Sequence, residues 1–343
     1  MVKTSGKPDY YLGNDYRFEG NEGIWTVGSK TYAAEAIRKV EEQMGVIPKA
    51  NTPLPPKDCH PEMDESPLLG ESDHRLFQML VGMGNWLVVL GRFDLAFAMC
   101  SLSRFNACPR EGHLILAKRV FSYLKKFPDR RIAIDSDDMD FSSVKEVLGG
   151  KPFRPDFIQD YPWAVEELDP NFPKAFGRTL QTTVLCDADH AHDLKTRRSV
   201  TGVLAFVGCT PVLWRSSRQS SVACSTYAAE FMALRTASEE AVSLRYMLRC
   251  LGIPIPNDGS APTYLFGDNL GVIQNATNPE ADLKKKHVAL SFHFVREAIA
   301  AGITAPYWME GKHNGSDITT KQIGSTEYLR HCDNLFWKPK HRH

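Results

Sequence analysis

Four carboxylates stand where an α/β chain could use them for chemistry. Asp187 directly follows a short β-prone run, Thr182 to Cys186, and Asp268 stands just beyond another, Tyr264 to Phe266, after Gly267. Ligand sites in open α/β sheets lie beyond the carboxyl ends of strands, so both side chains are expected in one crevice. Glu230 falls one position before Phe231 in the first turns of a long helical stretch, where it flanks the apolar face and can reach the sheet edge. Asp317 lies in the first turn of the last expected helix, which begins near Ser316. The spacings of 43, 38 and 49 residues form no local motif, so only a fold can bring the four together. Clustered carboxylates without a His or Cys partner suit a hard cation such as Mg²⁺ or Mn²⁺. Two such ions ~4 Å apart can activate a water and stabilise the leaving oxygen of a phosphodiester. Each residue also has a plainer reading. Asp187 and Asp268 serve as strand-end caps, and Glu230 and Asp317 as charges complementing a helix dipole. Pattern alone reaches an α/β hydrolase and stops there.

The elements that would position these residues can be read from periodicity. From Gln181 onward the order is β-β-β-α-β-α-α-β-α, which predicts an α/β domain with a central mixed sheet. After the first strand, Val203 to Val207 and Pro211 to Trp214 are strands around a Gly208 turn. Ser225 to Leu251 is a long helix, with Ser225 or Thr226 as N-cap and Gly252 as its stop. Asn269 to Thr277 and His287 to Ala301 are helices, and Thr304 to Met309 is a strand. Upstream, residues 9 to 45 alternate apolar stretches with Gly turns and then turn helical around Tyr32, Ala36 and Val40. A Pro-rich connector follows. Phe77 to Lys126 reads as two helices separated by Pro109, with Met79, Met83, Trp86 and Leu90 as one apolar stripe. Residues 136 to 180 hold five prolines and nine acidic against five basic residues, the composition of a linker or insertion with a short helix near Trp163 to Leu168.

Length and charge bound the reading. The chain has 343 residues, 43% hydrophobic and 24% charged, enough for two globular domains and unlike a disordered segment. The 41 Lys and Arg balance 41 Asp and Glu. That neutrality is an average. Residues 136 to 180 carry net −4 and residues 181 to 326 carry net +1, four of whose acids are the candidate metal ligands. With divalent ions bound, the site would no longer repel phosphates. The eight cysteines form no CxxC or CxxH pair, the start has no signal-like apolar stretch, and no run approaches ~18 apolar residues. An intracellular chain with reduced thiols is expected.

One stretch carries a family resemblance. Cys186-Asp187-Ala188-Asp189-His190-Ala191 through Thr196-Arg197-Arg198-Ser199-Val200-Thr201-Gly202 resembles the opening of the ribonuclease H domain of copia-type LTR retrotransposons. Trp214 to Gln219, Ser225 to Leu234, Gly267-Asp268-Asn269, Lys286-His287-Val288, His293 to Glu297 and Asp317 to Lys321 follow in family order. The resemblance implies a ribonuclease H-like, five-stranded mixed sheet flanked by helices, and hydrolysis of the RNA strand of RNA–DNA hybrids. It puts the catalytic and metal-binding carboxylates on Asp187, Glu230, Asp268 and Asp317, with Asp187 bridging two Mg²⁺ or Mn²⁺ ions. Three departures are visible. One extra residue separates Thr226 from Glu230, Gly315-Ser316 stands where Leu-Ala is usual, and Arg92-Phe93-Asp94 replaces a usual Arg-Pro-Asp. Blocks between Tyr10 and Lys125 resemble the thumb and connection region that ends a copia-type reverse transcriptase. The polymerase palm is absent, and Asp135-Ser136-Asp137-Asp138 is no substitute for its aromatic-x-Asp-Asp motif.

The expected organisation is a mainly helical thumb/connection-like region (1–135), an acidic Pro-rich linker or insertion (136–180), a ribonuclease H-like domain (181–326) and a C-terminal tail (327–343). Lys284, Lys285, Lys286, Arg197, Arg198, Arg215 and Arg218 are candidates for phosphate contacts. Asn269 is a candidate for substrate 2′-hydroxyls or, equally, a helix N-cap. His313 is a surface residue or a proton shuttle, and His190 and His192 are set aside as zinc ligands because the surroundings favour a harder ion. The expected partner is an RNA–DNA hybrid, with a reverse transcriptase palm on another chain or upstream in a polyprotein. The expected setting is the nucleus or cytoplasm, including virus-like particles. Two alternatives stand beside the active hydrolase. One is a catalytically inactive, nucleic-acid-binding remnant; the other is a piece of a larger polyprotein with RNA-directed DNA polymerase activity upstream.

Overall fold

The computed structural model describes residues 9–56, 59–142, 161–278, 281 and 288–339. The chain divides into two compact units. Unit 1 holds Met1–Asp135, Asp193–Arg197 and Lys321–His343, and unit 2 holds Ser136–His192 and Arg198–Thr320. Among the described residues no helix is long and apolar enough to cross a membrane. All eight cysteines are free thiols.

Unit 1 pairs β1 (Tyr10–Tyr11), β2 (Asn14–Glu19), β3 (Ile24–Gly28) and β4 (Arg131–Ile134) in one antiparallel sheet. Helices α1 (Lys30–Met44), α2 (Glu71–Val89), α3 (Ala96–Ser103) and α4 (Glu111–Lys126) make up most of the rest. The expected pair of helices is therefore three. The buried face of α2 is also not the expected stripe. Phe77, Leu80, Val81, Gly84 and Leu87 are buried, while Met79 and Trp86 are exposed. Both sets have spacings of three and four, so periodicity cannot choose between them. Gly84 lies in the buried set, and a Cβ there would come within 2.5 Å of the Met99 sulfur, so the glycine leaves room for the Met99 side chain of α3.

A buried ion pair organises this unit. Arg92 donates from Nε to Asp94 Oδ1 at 2.9 Å and from Nη2 to Oδ2 at 2.8 Å, and the Tyr123 hydroxyl donates to Oδ2 at 2.7 Å. Burial alone would raise the Asp94 carboxyl, but the charges of Arg92 and Arg130 and the hydrogen bonds from Arg92 and Tyr123 together outweigh it and hold the carboxyl below its usual range. The expected C-terminal tail is instead helix α8 (Ser325–Leu335), and its Tyr328 hydroxyl donates to the Asp94 carbonyl. Tyr328, Cys332 and Phe336 are buried at spacings of four, an amphipathic helix pattern.

Unit 2 contains the five-stranded mixed sheet. Its strands are β5 (Thr182–Asp189), β6 (Val200–Val207), β7 (Thr210–Arg218), β8 (Thr263–Gly267) and β9 (Thr304–Trp308). Their order is β7-β6-β5-β8-β9, with the first three antiparallel and β5, β8 and β9 parallel. Helices α5 (Thr226–Cys250), α6 (Leu270–Thr277) and α7 (Ala289–Ala300) flank it. The core joins Val184, Val203, Phe231, Leu234, Leu265 and Phe292. Ser225 is the N-cap of α5, accepting from the Ala228 amide at 3.2 Å, and Gly252 takes a positive φ of 75° just beyond its end.

The described end of the expected linker, residues 161 to 180, is a strap packed on unit 2. No helix forms near Trp163 to Leu168; the backbone there is irregular. The strap is held by side chains instead. The Tyr161 hydroxyl pairs with His293 Nδ1 at 2.8 Å, and Glu166 is gripped by two arginines of α5.

Candidate active site

Asp187 does not follow its strand but lies inside it, because β5 runs on to Asp189. The strand is central and all but its last residue are buried, so Asp187 is only 1% exposed. Asp268 lies just past β8, the parallel neighbour of β5. Glu230, 8% exposed, comes from the second turn of α5. That turn is tied to the sheet by Gln219, whose Nε2 donates to the Ala229 carbonyl and to Thr201 Oγ1, both at 3.0 Å. The three carboxylates converge, with one oxygen from each lying within 4.8 Å of the others. Three anionic groups at that separation repel one another strongly where water is scarce. Burial, reinforced by the charge of Glu230, Asp187 and Asp268, also pushes the Cys186 thiol well above its ordinary range. An all-oxygen, anionic set of this kind fits a hard divalent cation.

Asp317 does not join the three at that distance. It sits in a 3₁₀ turn, Gly315–Thr319, and is buried. The segment around it still reaches Asp187, but through other residues. The Thr320 hydroxyl donates to Asp187 Oδ2, and Asn314 Nδ2 donates to the Cys186 carbonyl at 2.8 Å. Gly202 makes this approach possible. It lies opposite Asp187 in the β5–β6 register, and a Cβ there would come within 2.2 Å of Thr319 Oγ1 and 2.5 Å of Thr320 Cγ2. Gly202→Ala is therefore expected to cost about 1–3 kcal/mol through overpacking, read as a lower urea midpoint for unit 2. An unchanged midpoint would show that the 316–320 turn can move aside freely.

The remaining candidates are dispersed. Asn269 is the N-cap of α6, its Oδ1 accepting from the Val272 amide at 3.1 Å. Arg215 is exposed and pairs with Glu240 of α5 at 2.7 Å, Arg218 is half-buried, and Arg198 is likewise half-buried. Arg197 is exposed with a positive φ of 56°. Lys284, Lys285 and Lys286 lie outside the described residues. His313 is exposed, His192 Nδ1 pairs with Asp189 Oδ2 at 2.7 Å, and His190 Nε2 lies 3.2 Å from the Ala223 carbonyl.

Comparison with known proteins gives this geometry a lineage. The chain is 24% identical over 264 residues to the retrovirus-related Pol polyprotein from transposon RE1 of Arabidopsis thaliana, covering 77% of this chain and 15% of that one. It is 26% identical over 252 residues to the corresponding polyprotein from transposon TNT 1-94 of Nicotiana tabacum, covering 74% and 16%. Over about three quarters of its length, the chain's homologues are retrovirus-related Pol polyproteins from transposons. It spans about 15% of the length of these relatives. No family model matches. Among solved structures, the N-terminal ribonuclease H domain of rv2228c from Mycobacterium tuberculosis aligns over 44% of this chain and 99% of its own, at 12% identity and a TM-score of 0.32.

Two departures from the copia-type pattern have local explanations. The extra residue before Glu230 leaves the cap of α5 intact, since Ser225 still closes the first turn and Glu230 still faces its two partners. Phe93, where proline is usual, stacks on Phe336 with ring centroids 4.3 Å apart and planes at 7°. The flanking Arg92 and Asp94 keep their bidentate pair.

Proposed function

We propose that unit 2 is a metal-dependent ribonuclease H that cleaves the RNA strand of RNA–DNA hybrids, leaving 5′-phosphate and 3′-hydroxyl ends. The observation that carries the reading is the convergence of Asp187, Glu230 and Asp268 within 4.8 Å at the junction of two parallel strands and a helix. Similarity to retrovirus-related Pol polyproteins from transposons supports the choice of substrate. Asp187, Glu230 and Asp268 would hold the cations, with Asp317 as a fourth acidic group nearby in sequence to Thr320. Bound Mg²⁺ or Mn²⁺ would supply an activated water and charge stabilisation at the leaving oxygen. The protein's own part is to keep three mutually repelling carboxylates aimed at one point. On unit 2 itself, Arg198, Arg215 and Arg218 would meet backbone phosphates, contacts that supply affinity without sequence preference. The test is nicking of an end-labelled hybrid by the full chain in Mg²⁺, in Mn²⁺ and in EDTA, beside RNA and DNA duplexes of the same sequence. Ion-dependent cleavage of the hybrid's RNA strand alone is expected. Hybrid binding with no nicking in either metal would favour the inactive remnant.

A further inference from the structure

We infer that Thr320 is a positioning residue for Asp187, fixing the orientation of its carboxylate before any cation arrives. The inference rests on the metal-site reading above and deepens it. Both partners are almost fully buried, Thr320 at 0% and Asp187 at 1% exposure, so water does not compete for the bond between them. A threonine hydroxyl has a single proton to give. It has two acceptors within reach, Asp187 Oδ2 and the Asp317 carbonyl at 3.2 Å. The carboxylate wins, because a hydrogen bond to an ionised acceptor is roughly twice as strong as a neutral one.

The bond matters because of what surrounds it. With Glu230 and Asp268 oxygens within 4.8 Å, repulsion would turn the Asp187 carboxylate away from the cluster when no cation is there. The hydroxyl, bonded to Oδ2, resists that rotation. A carboxylate offers about four lone-pair positions, so accepting one hydroxyl leaves it able to bind a cation. Two further features brace the arrangement. Asn314 holds the carbonyl of Cys186, the residue before Asp187, and its Oδ1 accepts from Ser316 Oγ at 2.6 Å, which ties the turn carrying Thr320 to β5. Gly202 leaves the space that the Thr320 methyl occupies. The 314–320 segment thus reaches Asp187 through a hydroxyl and an amide, beside whatever its carboxylate contributes.

The test compares wild type, Thr320→Val and Thr320→Ser in the full chain. Valine keeps the shape and removes the hydroxyl; serine keeps the hydroxyl and removes the methyl. Mn²⁺ binding is measured by calorimetry without nucleic acid, and the Mg²⁺ concentration for half-maximal nicking is measured separately. Loss of a hydrogen-bond partner to a metal ligand typically weakens metal binding ~10–100-fold. Valine should therefore weaken Mn²⁺ binding and raise the Mg²⁺ requirement by that factor, and serine should restore most of both. A thermal melt in EDTA identifies an unfolded variant, in which case Thr320→Ala replaces the valine. Wild-type Mn²⁺ affinity in a folded valine or alanine variant overturns the inference, as does equal weakening by valine and serine. Wild-type protein that binds no Mn²⁺ overturns the metal reading itself, and this inference with it.

Discussion

Asp187→Asn is expected to abolish hybrid nicking while leaving the protein as stable as before, or more so. Asparagine has the same shape, and its amide oxygen can still accept from Thr320, so the packing around β5 survives. What disappears is one of three like charges within 4.8 Å in a site where two of the three groups are at least 92% buried. In the absence of metal that removes repulsion, so the melting temperature in EDTA should hold or rise. With metal the balance reverses, because a neutral amide oxygen is a weaker ligand for a hard cation than a carboxylate. Losing an outer-shell partner costs up to ~100-fold, so losing a ligand should cost more. Nicking should fall by more than about 100-fold while binding of the hybrid in Ca²⁺ persists. Substantial cleavage by this variant would remove Asp187 from the reaction.

Glu166→Ala should produce the largest loss of stability in unit 2. Glu166 Oε1 accepts from Arg245 Nε at 2.9 Å and Arg249 Nη1 at 2.7 Å, and Oε2 accepts from Arg245 Nη2 at 2.8 Å and Arg249 Nη2 at 2.7 Å. The arginines also donate to the carbonyls of Ala261, Pro256 and Ile255. Side-chain exposure is 8% or less for all three residues. Removing the carboxylate strands two buried guanidinium charges, and breaking a buried pair in that way costs about 3–5 kcal/mol. For a unit of this size that is a fall of roughly 10 °C in melting temperature. Acid should mimic part of it. Burial raises the Glu166 carboxyl, but the hydrogen bonds and charges of Arg249 and Arg245 together outweigh burial and hold it below its usual range. The contribution is then complete above the unfolded value of ~4.3 and lost as pH falls through the lower folded value. An unchanged melt for Glu166→Ala would mean that the strap is not energetically part of the unit.

The sheet and its helices were legible because their signals are local. Ser225, Gly252 and Asn269 mark helix ends through cap chemistry that needs no partner. The stop of the first strand was misplaced for the opposite reason. Asp187 and Asp189 are poor strand formers and read as its end, but the ladder to β6 carries the strand through both, pairing Asp187 with Gly202 and Asp189 with Val200. Composition leaves the strap open between a linker and an insertion, because prolines and acids describe its backbone and not the two arginines, some eighty residues later, that bury Glu166. Position alone picks out all four carboxylates, and the fold brings Asp187, Glu230 and Asp268 within 4.8 Å of one another. Position does not pick out Thr320 and Asn314, since nothing in their types sets them apart. Gly202 was the available signal. A glycine inside a strand often marks close approach of another backbone, and here that backbone carries Thr320.

The return of the chain to unit 1 for helix α8 has a consequence for how the protein is made. Tyr328 completes the hydrogen bonding of Asp94 from 234 positions further along, and Cys332 reaches Tyr123 across 209. Phe336 supplies the face on which Phe93 stacks. During synthesis at ~5–20 residues per second, the polar centre of the first unit must wait 10 seconds or more for these partners. Unit 2 emerges from the ribosome within that interval, so it can fold while its predecessor in the sequence is still incomplete. A ribosome stalled between Thr320 and Ser325 would hold a chain with all of its candidate catalytic carboxylates and without the helix that closes unit 1.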